Sequence, residues 1–371
     1  LAAFAVVIGA MVFAWQLVGT MPYANLTPEY ALIDRNLSHD DIIHFHAADH
    51  DWRPYTTPSP PTADAQVVYI SWEIPPNIPI SIDHILAATT NQDLCVYLDD
   101  RLVYVLGSWE ILGDTYGRTL HFIDAGEPLA GKRVTFLLHS RYSEWLGSFD
   151  YFFIGNEIEL FRKVSITDAI YMASLSIAAS LIVFLLMDLI WRGYSHRRRL
   201  QIYLIAFLAA FALWTTGNTT LFPRLFGMPA LWWELHLSMI YALPICWALV
   251  VREIAAPQYH ASVKNILHIF VGIFAAVTLA EIIGRNAYEN VLPFYNILLF
   301  TSDLILIHAL LRSHWAYHPA CRYAAFGLIA FAALSLFDVL HWEFHLFTGI
   351  LSMAVFSIYA IVPLILHLIR T

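Results

Sequence analysis

Hydrophobic and polar residues alternate along residues 42–160, in short runs that are separated by turn residues. Alternation with a period of two is typical of strands with one buried face. The pattern predicts about seven or eight short strands and no amphipathic helix, the clearest strands being 67–74, 80–89, 94–98, 102–107, 118–123, 133–140 and 150–155. In "VYLDDRLVYV", Asp99 and Asp100 predict a hairpin turn. Many short strands at this spacing favour a sandwich or jelly roll.

From residue 165 onward the apolar runs become long enough to cross a bilayer, which takes about 20 residues of helix. Seven such runs are predicted, near 167–190, 200–217, 230–251, 265–284, 292–311, 323–341 and 346–369. Residues 1–19 form one more, which we interpret as an uncleaved anchor, with a cleaved signal peptide as the alternative. The predicted fold is a membrane α-helical bundle of seven helices (165–371) plus an N-terminal anchor (1–19), with an extracytoplasmic all-β jelly-roll or sandwich domain (20–164).

Charge separates the two halves of the chain. Residues 20–164 carry 20 acidic and nine basic residues, a net charge of −11, whereas residues 165–371 carry nine acidic and 11 basic residues. Only 13% of all residues are charged, against about 25% in a typical soluble domain, so much of the chain is expected to lie in lipid. A strongly acidic domain repels nucleic acid and anionic headgroups, which argues against a nucleic-acid partner.

The basic residues of the membrane half predict its orientation, because cytoplasmic connections carry an excess of Lys and Arg. Nine of them flank one set of connections: Arg192, Arg197, Arg198, Arg199, Arg252, Lys264, Arg312, Arg322 and Arg370. The alternate connections hold only Arg224 and Arg285. We therefore expect a multi-pass protein of the inner (plasma) membrane with residues 20–164 outside and the C-terminus in the cytoplasm.

The predicted sheet and the first predicted membrane helix are joined without a linker, in "IGNEIELFRKVSITDAIYM". Ser165 with Asp168 three residues later resembles a capping box that would start the helix, and Arg162 and Lys163 would anchor at the headgroups. A short joint transmits displacement that a flexible Gly/Ser linker would absorb, so these four residues are candidate signal-coupling residues. The alternative is that short connections are simply common.

Four tryptophans of the predicted β domain are candidate stacking platforms for a sugar or another flat ligand: Trp52, Trp72, Trp109 and Trp145. Ordinary packing is the alternative, since aromatic side chains dominate buried area. The run "SHDDIIHFHAADHD" is rich in His and Asp, and His44 and His46 would share a strand face. Its spacing matches no known metal site, so we interpret the run as a solvated acidic strand edge and predict no metal.

Polar residues inside predicted spans mark bundle interiors or ion paths. Asp303 lies in the middle of the fifth span, with His308 five residues later, and either packing or an ion or proton path would explain them. The three lysines, Lys132, Lys163 and Lys264, all lie outside the predicted spans, which excludes a retinal Schiff base. The three cysteines are far apart, and neither a Walker loop nor a hydrolase or metalloprotease motif is present, so we predict no cofactor and no enzyme chemistry.

The chain resembles the bacterial seven-transmembrane receptors with diverse intracellular signalling modules, over nearly its whole length. The segments that carry the resemblance are "DDIIHFHAADHDWRPY", "VYLDDRLVYVLG", "GKRVTFLLHS", "FDYFFIGNEIEL", "LIAFLAAFALWTTGNTTLF" and "YALPICWALVV". The resemblance implies an extracellular jelly-roll sensory domain for carbohydrates or other small ligands, seven helices, and a homodimer. It also implies a cytoplasmic output such as a GGDEF diguanylate cyclase or a histidine kinase. No family binding residue can be assigned to a position here.

The sequence departs from that pattern, because its last letters are "LHLIRT" and no catalytic module is visible. We therefore expect a fragment of a longer protein that acts as a transmembrane sensory receptor. A transporter or channel with Asp303 and His308 on its path is the first alternative. A membrane enzyme acting on lipid-linked sugar is the second, with only Asp338 and Glu343 as acidic candidates near the outer face.

Overall fold

A computed structural model of the chain describes residues 28–33, 42, 45–47, 50–55, 67–106, 117–140, 145–149, 151–192, 198–284, 287–316, 321–329 and 332. The described residues fall into two compact units, which are treated separately. The first comprises the β region up to Ala169 together with Thr220–Trp233, and the second comprises the remaining helices. The predicted anchor 1–19, the seventh span and Trp109 lie outside the described residues, as does most of the sixth span.

The first unit contains a six-stranded antiparallel sheet in the order β2-β1-β3-β8-β5-β6. Its strands are β1 (Glu29–Ile33), β2 (Arg53–Pro54), β3 (Val67–Glu73), β5 (Asp93–Leu98), β6 (Arg101–Leu106) and β8 (Arg133–His139). β5 and β6 form the predicted hairpin, with Asp99 at a φ of 54°, a conformation that Asp tolerates better than most residues.

A three-stranded antiparallel sheet completes the β region in the order β7-β4-β9. It is formed by β4 (His84–Thr90), β7 (Arg118–Asp124) and β9 (Tyr151–Gly155). One hydrophobic core lies between the two sheets and includes Ile70, Phe136 and Leu94 from the larger sheet and Ile85 and Ile154 from the smaller one. All seven runs quoted from the sequence correspond to a strand, whereas β1 and β2 were not among them.

The outer face of the larger sheet is also apolar. An alternating sequence pattern instead predicts that one face of the sheet is polar and in contact with solvent. Tyr69 and Tyr97 project from β3 and β5, and Phe45 packs against both rings at centroid distances of 4.8 and 4.6 Å. The Tyr97 hydroxyl donates to the carbonyl oxygen of Ile42 at 2.7 Å. Part of the 42–52 region thus covers this face.

The described part of the chain continues after the β region with the helices α1 (Glu157–Arg192), α2 (Arg198–Asn218), α3 (Leu221–Phe226), α4 (Pro229–Ile254), α5 (His260–Ile282) and α6 (Ala287–Ala316). Residues 321–329 are also helical. Among the residues that the structure describes, five stretches are long and apolar enough to cross a membrane: Tyr171–Trp191 within α1, Arg198–Asn218, Pro229–Ile254, Pro257–Ile282 and Ala287–Ser313. They correspond to the first five predicted spans and indicate a membrane protein.

Polar contacts connect the helices of the second unit. The Tyr241 hydroxyl of α4 donates to the carbonyl oxygen of Tyr288 in α6 at 2.6 Å. Asn218, at the end of α2, lies 2.7 Å from the His236 ring on α4. Hydrogen bonds of this kind hold apolar helices in register where lipid gives no hydrophobic driving force between them.

Candidate functional site

A single residue, Asn156, separates the last strand β9 from the 36-residue helix α1. Its side-chain oxygen accepts a hydrogen bond from the backbone N–H of Glu159 at 2.9 Å, and its carbonyl oxygen accepts from the N–H of Leu160 at 3.1 Å. Asn is a favoured N-cap, and a Glu three residues later completes the pattern of a capping box. Glu157 and Glu159 in the first turn also suit the positive end of the helix dipole. Asn156 therefore ends the sheet and starts the helix.

The predicted cap at Ser165 is wrong, because α1 has already run for two turns at that position. Ser165 is exposed on the helix surface. Asp168 has a different role: its carboxylate accepts hydrogen bonds from the backbone N–H of Thr220 at 3.1 Å and from the Thr220 hydroxyl at 2.6 Å. Both residues are buried, with relative exposures of 6% and 8%. Asp168 thus ties α1 to the chain that connects α2 with α4.

The first turns of α1 lie against the outer face of the three-stranded sheet. Register places Leu86 between Phe122 of β7 and Phe153 of β9 on that face. Leu160 and Val164 of α1 are buried against this row. Phe153 lies three residues before Asn156 in the chain, yet it packs with Leu160 and Val164, which follow Asn156. The chain therefore reverses at Asn156, and the helix returns along the sheet. The joint is therefore a packed contact as well as a covalent connection.

The two basic candidates of the joint have different surroundings. Lys163 is half-buried, and its ammonium nitrogen lies 3.2 Å from the centroid of the Phe153 ring, a cation–π contact. Burial lowers the pKa of Lys163 to about 8. Arg162 is exposed. Lys163 therefore contributes to the contact between α1 and the sheet, whereas Arg162 remains available for headgroups.

Residues 220–233, here called the α2–α4 segment, contact the β region at three places. A Cβ on Gly117 would lie only 2.5 Å from the carbonyl oxygen of Pro229, so the two backbones touch. The Arg224 guanidinium lies 5.9 Å from the centroid of the Phe122 ring, and the rings of Trp145 and Trp233 meet edge to face at 6.1 Å. These contacts, together with the hydrogen bonds from Thr220 to Asp168, attach the segment to the first unit. The sequence had assigned this segment to the membrane domain.

The connection between β4 and β5 organises the loops at this end of the sheets. Asn91, at a φ of 53°, donates its backbone N–H to the Gly117 carbonyl at 3.0 Å and accepts the Gly117 N–H on its side-chain oxygen at 2.7 Å. Gln92 donates to the Ser148 carbonyl at 2.8 Å and accepts from the Gly147 N–H at 2.8 Å. These bonds hold Gly117 where it meets Pro229. Its φ of +103° is a conformation that glycine adopts far more readily than other residues.

Three of the four candidate tryptophans are described. Trp72 is a core residue with 7% exposure, and Phe152 stacks on its ring at 4.5 Å, so its face is not open to a ligand. Trp52 is half-buried, donates its indole N–H to the Ala47 carbonyl at 2.7 Å and carries Arg133 above its ring. Trp145 is half-buried and contacts Trp233. The structure does not gather these rings into one platform.

The His- and Asp-rich run is described only in part, since His39, His44, Asp40, Asp41 and Asp49 fall outside the described residues. Within it, His46 lies 3.6 Å from the Asp100 carboxylate, and both side chains are more than half exposed. Among the residues that the structure describes, no group of three or more His, Cys, Asp or Glu side chains could hold a metal ion.

Two buried histidines of the β region were not singled out from the sequence. His121 lies between the sheets, with Nε2 2.7 Å from the Thr89 hydroxyl and Nδ1 3.3 Å from the Tyr104 hydroxyl. Burial lowers the pKa of His121 to about 3. His139 on β8 lies opposite Asp93 on β5, with 3.6 Å between ring nitrogen and carboxylate.

The two intramembrane candidates are not brought together. Asp303 is buried on α6, with 5% exposure, whereas His308 is exposed on the same helix and meets the Tyr259 ring edge to face at 6.1 Å. Five residues of helix rotate a side chain by about 140°, so the two project from different faces. A shared path through both residues gains no support from this arrangement.

Sequence reasoning missed Asn156, Thr220 and Gly117. Asn156 could have been found from Asn-x-x-Glu directly after an alternating run. Nothing local identifies Thr220 or Gly117, because their partners lie 52 and 112 residues away along the chain.

Comparison with known proteins adds no identity. Neither a family model, nor a curated protein, nor a solved structure matches the chain.

Proposed function

We propose that this protein is a bacterial transmembrane sensory receptor. In this proposal the β region is a jelly roll on the extracytoplasmic side that binds a small ligand such as a carbohydrate. Seven helices relay binding to a cytoplasmic output such as a diguanylate cyclase or a histidine kinase, and the receptor works as a homodimer. The acidic β region, the basic connections and the resemblance described above support this proposal.

The observation that carries the proposal is the attachment of α1 to the smaller sheet. One residue connects β9 with α1, and the buried contacts of Leu160 and Val164 hold the helix against the sheet. The same helix continues without interruption into the candidate span Tyr171–Trp191. A displacement of the sheet therefore reaches α1 directly.

A second connection strengthens the same argument. The α2–α4 segment contacts Gly117, Phe122 and Asp168, and it is continuous in sequence with two further candidate spans. Movement in the β region thus has a route to three helices. A ligand that prefers one of two helix arrangements shifts their ratio tenfold for each 1.4 kcal/mol or so of preference.

The test measures helix displacement when a sugar binds. The purified chain in proteoliposomes is screened by thermal unfolding against a panel of mono- and disaccharides. In a Cys246→Ala background, spin labels at Arg199→Cys and Lys264→Cys, two exposed residues on predicted cytoplasmic connections, then report a distance with and without the stabilising sugar. We expect the distance distribution to shift.

Inserting Gly-Gly-Ser after Ala169 separates the part of α1 that packs on the sheet from the part that spans. We expect this variant to retain sugar binding and to lose most of the distance shift. The matched control carries the same insertion after Gly126, an exposed turn residue away from the joint. An unchanged shift in the Ala169 insertion variant would contradict mechanical coupling, and the absence of stabilisation by every sugar would contradict a carbohydrate ligand.

A further inference from the structure

The α2–α4 segment has a pronounced apolar surface. Leu225, Phe226 and Met228 are 64%, 61% and 65% exposed, and Leu231 is 47% exposed. The surfaces of soluble proteins carry single exposed apolar side chains, but four large ones within seven residues, here called the apolar patch, are a cluster of the kind that marks an interaction site.

Three aromatic rings cluster in the same segment. Phe222, Phe226 and Trp232 lie within 5.2 to 6.2 Å of one another, measured between ring centroids. The Trp232 indole N–H donates to the Gly227 carbonyl at 3.0 Å, which fixes the ring. Aromatic rings with a polar edge are enriched where hydrocarbon meets water at a membrane surface.

The length of the connection limits where the patch can lie. Candidate span Arg198–Asn218 ends ten residues before the next one begins at Pro229. Six of the intervening residues form α3, which is about 9 Å long at 1.5 Å per residue. The other four residues add at most about 14 Å of extended chain, so a connection that must return to the membrane can rise no more than about 11 Å from it.

The other side of the segment is occupied by protein. Thr220 is bonded to Asp168, Arg224 lies on the Phe122 ring, and Pro229 touches Gly117. The polar and backbone groups of the segment thus bind the β region and α1, whereas Leu225, Phe226 and Met228 remain uncovered. The segment therefore has one side that contacts protein and one side whose apolar residues are uncovered, as an amphipathic interfacial helix has.

We propose that the α2–α4 segment is a membrane-interface wedge: Leu225, Phe226 and Met228 insert at the boundary between headgroups and acyl chains, and the opposite side holds the β region at the membrane surface. The partner is the lipid bilayer itself, with no requirement for a particular headgroup. This inference requires membrane insertion of the chain and is independent of any ligand.

The test measures the depth of a nitroxide label at Phe226→Cys in the full chain, reconstituted in phosphatidylcholine vesicles. The background variant is Cys246→Ala, since Cys95 and Cys321 are buried. Power saturation compares collisions with oxygen, which concentrates in lipid, and with a water-soluble nickel chelate. We expect the label at position 226 to collide several-fold more with oxygen than with nickel.

A label at Leu225→Cys serves as the second site in case the first variant does not reconstitute, and Ile80→Cys is the matched control. Ile80 is 77% exposed and precedes β4, whose first residue His84 pairs with Gly155 at the end of the sheet away from Gly117. We expect nickel to dominate at position 80. Dominance of nickel at 225 and 226 would place the patch in water. Protection from both reagents, with spin–spin broadening, would show that a second copy covers it. Either result overturns the inference.

Discussion

His121 illustrates at the residue scale how the β region encloses a titratable group. The ring is fully buried between the sheets and has a hydroxyl group at each nitrogen, from Thr89 and Tyr104. Both contacts can be satisfied by a neutral imidazole, which has one donor and one acceptor nitrogen. Burial disfavours the charged form and lowers the pKa of His121 to about 3.

This depressed pKa predicts a loss of stability in acid. In the unfolded chain a histidine binds a proton below its ordinary pKa of about 6.5, whereas His121 in the folded protein does not until about pH 3. Its contribution to stability is therefore present above pH 6.5 and is lost as the pH falls towards 3, reaching about 2 kcal/mol of loss at pH 5.

Pulse proteolysis in urea, on the full chain in detergent at pH 7.5 and 5.0, measures this loss. We expect the free energy of unfolding of the wild type to fall by about 2 kcal/mol more than that of His121→Gln, whose amide does not titrate. The difference between the two proteins removes the contribution of the other histidines. Identical pH dependence in both would mean that His121 is accessible to protons in the folded state.

At the scale of elements, the start of α1 shows how a local pattern can be correct in type and wrong in position. Asn156 with Glu159 and Ser165 with Asp168 are both plausible starts, and the chain uses the first. The strands were predictable because alternation is a local property, as the β5–β6 hairpin shows. The bond from Thr220 to Asp168 and the approach of Gly117 to Pro229 depend on how distant segments pack, which no local pattern encodes.

The choice of cap can be tested with a matched pair of variants. Asn156→Ala removes the acceptor for the Glu159 N–H and should destabilise the start of α1 by about 1 kcal/mol. Ser165→Ala, the control, changes an exposed position inside the helix and should leave stability within about 0.5 kcal/mol of the wild type.

Native-state hydrogen exchange of the amides near residue 160 reports the difference most directly. We expect faster exchange there in Asn156→Ala only. Faster exchange in Ser165→Ala, with normal exchange in Asn156→Ala, would instead support the start predicted at Ser165.

For the whole molecule, the main question is which side of the membrane each half faces. The distribution of basic residues predicts that Asp99 faces outward and Arg198 faces the cytoplasm. Both positions are exposed in the folded chain, so labelling reports the side of the membrane rather than burial.

Membrane-impermeant maleimide applied to spheroplasts tests this orientation in the Cys246→Ala background. Asp99→Cys should label at once, and Arg198→Cys should label only after the membrane is permeabilised. Labelling of position 198 alone from outside would invert the topology and remove the basis for a sensor that faces the exterior.

The return of α1 along the three-stranded sheet has a practical consequence for anyone who wishes to produce the β region by itself. A recombinant fragment that stops where the strands stop, at Gly155, would bare Leu86, Phe122 and Phe153 to solvent. Such a protein would be prone to aggregate even with its two sheets correctly folded, so an expression boundary drawn beyond Val164 is the better choice.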